Sequence, residues 1–267
     1  MTVSTVLYLF LAHLGLGMGF ALLVVSSRAG VKFFRFTAGS AAGLLFLALT
    51  MMPEAAAEGL AARVARDGLV VATGGLGFYW LTVGRVLRPL RRLALPVATA
   101  AGLVALVAHG IAFAADALVW QVLTVISVMS SAALLGGSCN AMILGHWYLV
   151  VPSLDVAHLQ SLVKLHLAST ILRSVVVLGV VLLAVSTAQP GMGPAFSGYI
   201  TSVAGIFFWQ RVLFGLVGPI ILAYLTWETA KIRSTQSATG ILYVDFFTVI
   251  VGEVLAKYLL LATQVPV

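Results

Sequence analysis

Leu118–Val150 reads LVWQVLTVISVMSSAALLGGSCNAMILGHWYLV, without one Asp, Glu, Lys or Arg. A membrane helix needs about 20 mostly apolar residues, because the hydrocarbon is about 30 Å thick and a helix rises about 1.5 Å per residue. This run crosses with residues to spare. Similar stretches flank it at 3–26, 36–52, 69–87, 93–115, 159–186, 206–227 and 240–262. The chain is therefore expected to be an all-α polytopic integral membrane protein, a single domain over 1–267 built as a bundle of about eight transmembrane helices.

Composition agrees. Of 267 residues 61% are hydrophobic and 9% charged, with a mean hydropathy of +1.12, whereas soluble domains run about a quarter charged. A hydrated surface cannot be made from so few charges, and a disulfide scaffold is excluded by the lone Cys139. The net charge of +7 comes mostly from short connections: Arg28, Lys32 and Arg35; Arg85, Arg88, Arg91 and Arg92; Lys164; Lys231 and Arg233. All of these fall on one side of an eight-span path. The opposite connections carry Glu54, Glu58, Asp67 and Asp116, with only Arg63 and Arg66 as basic residues. Basic loops stay cytoplasmic, so both termini are expected outside a bacterial inner membrane. The first span lacks a basic start and a small-residue cleavage site, and reads as retained. The partners are the lipid bilayer and other membrane subunits; no soluble domain is left to present a basic groove to nucleic acid.

Soluble-enzyme motifs are missing. The glycine clusters at 15–19, 74–77 and 136–138 lie inside spans, where small residues serve close helix packing, and the pair Gly136-Gly137 is where the long fifth span is expected to bend. Outside the spans, 54–68 is expected to lie on the interface as a short amphipathic helix, and 187–205 to fold down as a proline-broken cap.

The chemistry concentrates in ionisable residues at bilayer depth, each of which needs a partner or a role. His146, His166, Arg173, Arg211, Asp245, Glu253 and Lys257 sit in the last four spans, with His13 and His109 in the first half. Across a hairpin joined by Pro152 to Val156, with His146 about six residues before it and His166 about ten after, the two are expected to differ in depth by about 6 Å and to face each other as ligands. Trp147 and Tyr148 follow as an aromatic wall. Arg173 and Arg211 are expected to hold an anionic group. Asp245 and Glu253 are the acid–base candidates, and Lys257 pairs with Glu253 four residues away.

These ingredients suit a subunit of a respiratory or photosynthetic electron-transfer complex with b-type haem or quinone as cofactor, His146 and His166 being the metal ligands in the haem case. Two alternatives share the composition: a small-solute or proton-coupled transporter, and a scaffold subunit without its own chemistry.

Overall fold

A computed structural model describes residues 2–53, 59–85, 88–150, 156–187 and 196–267. The described residues form an all-α membrane bundle. The helices are α1 (Val3–Val24), α2 (Val31–Thr50), α3 (Leu60–Thr82), α4 (Arg88–Ala112), α5 (Leu118–Val150), α6 (Val156–Ser186), α7 (Phe196–Thr201), α8 (Ile206–Val212), α9 (Gly218–Lys231) and α10 (Thr235–Thr263). Among the described residues, seven helical segments are long and apolar enough to cross a membrane, α8 and α9 counting as one. The remaining long helix is α3. Its first two turns hold Arg63, Arg66 and Asp67, which lower its hydropathy, yet it packs between α2 and α4 like the others.

Two sequence expectations change here. Residues 60–68 are not a separate interfacial helix but the opening of α3, which stops at Thr82, short of the expected 87; positions 54–58 lie outside the described residues. Likewise α5 runs unbroken past Gly136-Gly137. Those glycines are spent on packing: a Cβ on Gly136 would come within 2.1 Å of Gly17, and one on Gly17 within 2.0 Å of the Ala132 carbonyl oxygen. The α1–α5 crossing is thus a backbone-to-backbone contact that only glycine allows, the usual device where lipid offers no hydrophobic drive between helices.

The interruption falls in the seventh span. Leu213–Val217 is a π turn between α8 and α9, followed at once by Gly218-Pro219. A proline ring collides with the carbonyl four residues back, here that of Gly215, and cannot donate to it. Widening the turn by one residue relieves both problems, and π turns occur often at functional sites.

α1 is the central helix. Every residue from Ala12 to Gly19 is buried, as expected for a helix apolar all round and enclosed by its neighbours α2, α4, α5 and α10. The first turns of α1 and the last of α10 define one end of the bundle, the terminal face. Near it a second core joins Trp120, Val177, Phe196, Phe208, Leu259 and Val267. Phe196 in α7 thereby anchors the described part of the 187–205 segment against the bundle. The opposite end, the basic face, carries the α1–α2 and α9–α10 connections.

Candidate functional site: a buried polar seam and the depression at its end

α5 and α10 run antiparallel, and three contacts fix their register. Thr239 Oγ1 donates to the Gly145 carbonyl (2.9 Å), Ser138 Oγ to Asp245 Oδ2 (3.1 Å) and Ser131 Oγ to Glu253 Oε2 (2.5 Å). Each step of about two turns on one helix matches a step on the other. The serines of α5 and the carboxylates of α10 therefore fall on facing stripes.

Glu253 is the hub. Its Oε1 accepts from Arg173 Nε (3.0 Å) on α6 and from Arg211 Nη2 (2.8 Å) on α8; its Oε2 takes Lys257 Nζ (2.9 Å) from its own helix. Lys257 also reaches Ser131 Oγ. Arg173 is held further by the Ser127 hydroxyl (2.6 Å), the Ser127 carbonyl (3.2 Å) and a main-chain oxygen of Val267 (3.2 Å), which comes within reach where the chain after α10 turns back at Gln264 in the left-handed region. All four charged side chains are buried. Arg211 is only partly satisfied, since among the described residues its Nε and Nη1 have no acceptor. Its Nη1 sits against Gly215, 2.1 Å from where a Cβ there would stand, and the Gly252 backbone closes on the same position.

Of the two acid–base candidates, Glu253 alone meets these three cations. Asp245, two turns toward the basic face, has its Oδ2 2.7 Å from His166 Nε2, and both residues are completely buried. His166 is level with Gly137, whose added Cβ would stand 3.4 Å from the His166 Cα. His146 lies nine positions further along α5, about 13 Å by helical rise. It is exposed and shares a 2.9 Å hydrogen bond with Tyr243 through Nδ1. The structure thus does not bring His146 and His166 together as ligands: they are about nine positions apart in level, not the roughly four that a 6 Å offset implies. No group of three or more His, Cys, Asp or Glu able to hold a metal ion occurs among the described residues.

The two histidines of the first half also meet. His13 on α1 and His109 on α4 have ring centroids 5.6 Å apart, and His109 Nε2 shares a 2.8 Å hydrogen bond with the Tyr8 hydroxyl. Helix α4 ends only three residues past His109, while α1 starts ten residues before His13, so the helices are offset along the bundle. His13 is fully buried and within electrostatic range of Lys257, Glu253 and Arg173. Tyr8, His109 and His13 therefore extend the Glu253 cluster toward the terminal face.

At the other end, where α5 stops and α10 begins, an open depression of about 540 Å³ is lined by Tyr148, Leu149, Thr235, Gln236, Thr239, Gly240 and Tyr243. Tyr148 was anticipated from the sequence, and His146 is tied to its rim through Tyr243. Trp147 is half-buried beside it and packs on the main core. Tyr243 and Gln236 were missed. The available signal was the polar run 234–239 in an otherwise sparing sequence.

No protein-family model matches this chain, and no curated protein matches it in sequence. Fold and site together define a class: a polytopic membrane bundle with a charged interior.

Proposed function

We propose that this chain is a quinone-interacting subunit of a membrane electron-transfer complex, and that its buried polar groups move protons. The observation that carries the reading is the depression at the basic face. There a histidine–tyrosine pair and the Gln236 amide border an opening on the lipid side of α10. Val244 and Phe247, 54% and 63% exposed, continue from Tyr243 along that helix and supply an apolar track for an isoprenoid tail.

A quinone supplies two-electron, two-proton carrier chemistry when bound, with electrons delivered by a redox partner subunit. Of this chain's own groups, His146 and Tyr243 hold and exchange a proton at a headgroup oxygen, and Tyr148 walls the site. The Thr239–Gly145 bond keeps α5 and α10 in register at its wall. About two turns deeper, the His166–Asp245 pair is the next group able to accept a proton, after which Glu253 and the His13–His109–Tyr8 series reach toward the terminal face. Haem between His146 and His166 does not fit these positions. With the basic face cytoplasmic, as the loop charges favour, the host membrane is a bacterial inner membrane.

The test is equilibrium binding of a decyl-tailed benzoquinone to the purified protein in lipid nanodiscs. Wild type should bind saturably, and His146→Ala and Tyr243→Phe should each weaken binding at least tenfold, about 1.4 kcal/mol. Both side chains are exposed, so folding should survive. Absence of saturable binding, or two variants that bind like wild type, would refute the reading.

A further inference from the structure

The charges gathered around Glu253 point inward, but those of α3 point outward. Arg63, Arg66 and Asp67 are all exposed on its outer face. Among the described residues the ion pairs fall elsewhere, around Glu253, at His166–Asp245 and at Lys231–Glu228. Contacts across the bundle fix the depth of Asp67. Its neighbour Gly68 meets Ala101 and Ala105 of α4, Gly102 of α4 meets Leu16 of α1, Gly17 of α1 meets Ala132 of α5, and Ser131 of α5 meets Glu253. Asp67 therefore stands near the level of the Glu253 hub. The length of α3 agrees: from Asp67 to Thr82 only fifteen residues remain, about 22 Å, whereas the hydrocarbon is about 30 Å thick.

A carboxylate facing lipid at that depth is costly. Arginine escapes by stretching to the headgroups, and Arg63 stands only three residues from the start of α3. Asp67 has a short side chain and seven residues of helix above it, about 10 Å. Arg63 precedes it by four residues, the less favourable order for a pair within one helix, and the two make no ion pair in the single chain. Asp67 needs a cation brought from outside.

The same face is built to receive one. Arg63, Asp67, Val70, Gly74 and Phe78 recur every three or four residues and form one stripe on the outside of α3. A Cβ on Gly74 would have no heavy atom within 4 Å, so the backbone of another helix can close on it. Val70 and Phe78, 50% and 37% exposed, flank that point with apolar surface. A different membrane subunit would have to supply its own acid and base at this depth. A second copy of the chain, related by a two-fold axis along the membrane normal, has both by symmetry. Arg63 and Asp67 differ in level by about 6 Å, a gap that an arginine side chain spans.

We propose that two copies of this chain associate through the outer face of α3, crossing at Gly74, with Asp67 of each copy paired to Arg63 of the other. Arg66, at the margin of the stripe, adds a further cation near each carboxylate. The interface uses none of the residues bordering the depression and stands apart from the quinone reading.

The test reconstitutes the full chain, labelled with one fluorophore per copy, in liposomes, and counts copies by single-molecule photobleaching as the protein is diluted in lipid. Wild type should bleach in two steps until high dilution. Asp67→Arg and Arg63→Asp should each come apart at a protein-to-lipid ratio about tenfold higher or more. The double variant, Arg63→Asp with Asp67→Arg, should return to the wild-type ratio, because the swap restores opposite charges across the axis. These positions are exposed in the single chain, so each variant should fold, as size-exclusion recovery will show. A second measurement uses the buried state of Cys139, the lone cysteine. Oxidation of native membranes should trap Gly74→Cys at twice the monomer mass, whereas Leu178→Cys, 58% exposed on α6, should stay single. A wild type that is monomeric at every ratio, a double variant as weak as the single ones, or a Gly74→Cys thiol that joins a polypeptide of another mass overturns the proposal.

Discussion

At the scale of single residues, Glu253 and Asp245 look alike in sequence and differ in consequence. Glu253 is met by three cations, so removing its charge strands all of them in a buried site. Breaking one buried ion pair costs about 3–5 kcal/mol. Glu253→Gln should therefore cost at least that, with the folded fraction after solubilisation and heating falling sharply. Asp245 faces one imidazole and one hydroxyl, and its Oδ1 has no donor among the described residues. Asp245→Asn keeps the shape and the Ser138 contact, and should cost about 1–3 kcal/mol. The comparison is read by size-exclusion recovery of both variants over a temperature series. Equal losses would mean that the three-to-one arrangement around Glu253 carries no special weight. The residue types of this cluster were legible beforehand, because ionisable groups at bilayer depth stand out in so apolar a chain. Their pairing was not, since helical periodicity gives the face of a residue within its own helix but not the rotation of that helix against its neighbours. His146 was accordingly set against His166, and the partner of Asp245 was not foreseen.

At the scale of elements, hydropathy found the spans, and charge hid the start of α3. Arg63, Arg66 and Asp67 read as a surface helix, but once α3 packs between α2 and α4 its first turns simply continue the helix. The break was misplaced for a similar reason. A Gly-Gly pair signals bending only when nothing packs on it, and in α5 Gly136 meets Gly17 of α1 while Gly137 meets His166 of α6. Pro219 was the better sign, since proline acts on the backbone whatever its neighbours. If the proline causes the π turn, Pro219→Ala should let Leu213–Val217 tighten to ordinary helix. Amide hydrogen exchange across that segment should then slow at least tenfold relative to wild type. Unchanged exchange would place the cause in the Arg211–Gly215–Gly252 packing instead.

For the molecule as a whole, the polar groups form one line through an apolar bundle, from Tyr8 by way of Glu253 to Asp245, with the depression beyond. Such a line has a direction, and the basic connections predict it. Cys139 is buried, so single cysteines placed at the ends can report sidedness without first removing it. Ser234→Cys should react with an impermeant maleimide only after the inner side of the membrane is opened, whereas Asp116→Cys should react in intact cells. The reverse pattern would invert the proposed orientation.

The order in which the cluster's members occur along the chain matters for manufacture. Arg173 and Arg211 are synthesised before Glu253, and three of the four charged partners come from different helices. During translation two arginine-bearing segments must wait beside the insertion channel, or shelter against α1 and α5, until the last helix arrives with their carboxylate. A nascent chain halted before Thr235 would hold both arginines at membrane depth without that acid, and so present itself to quality control as unfinished.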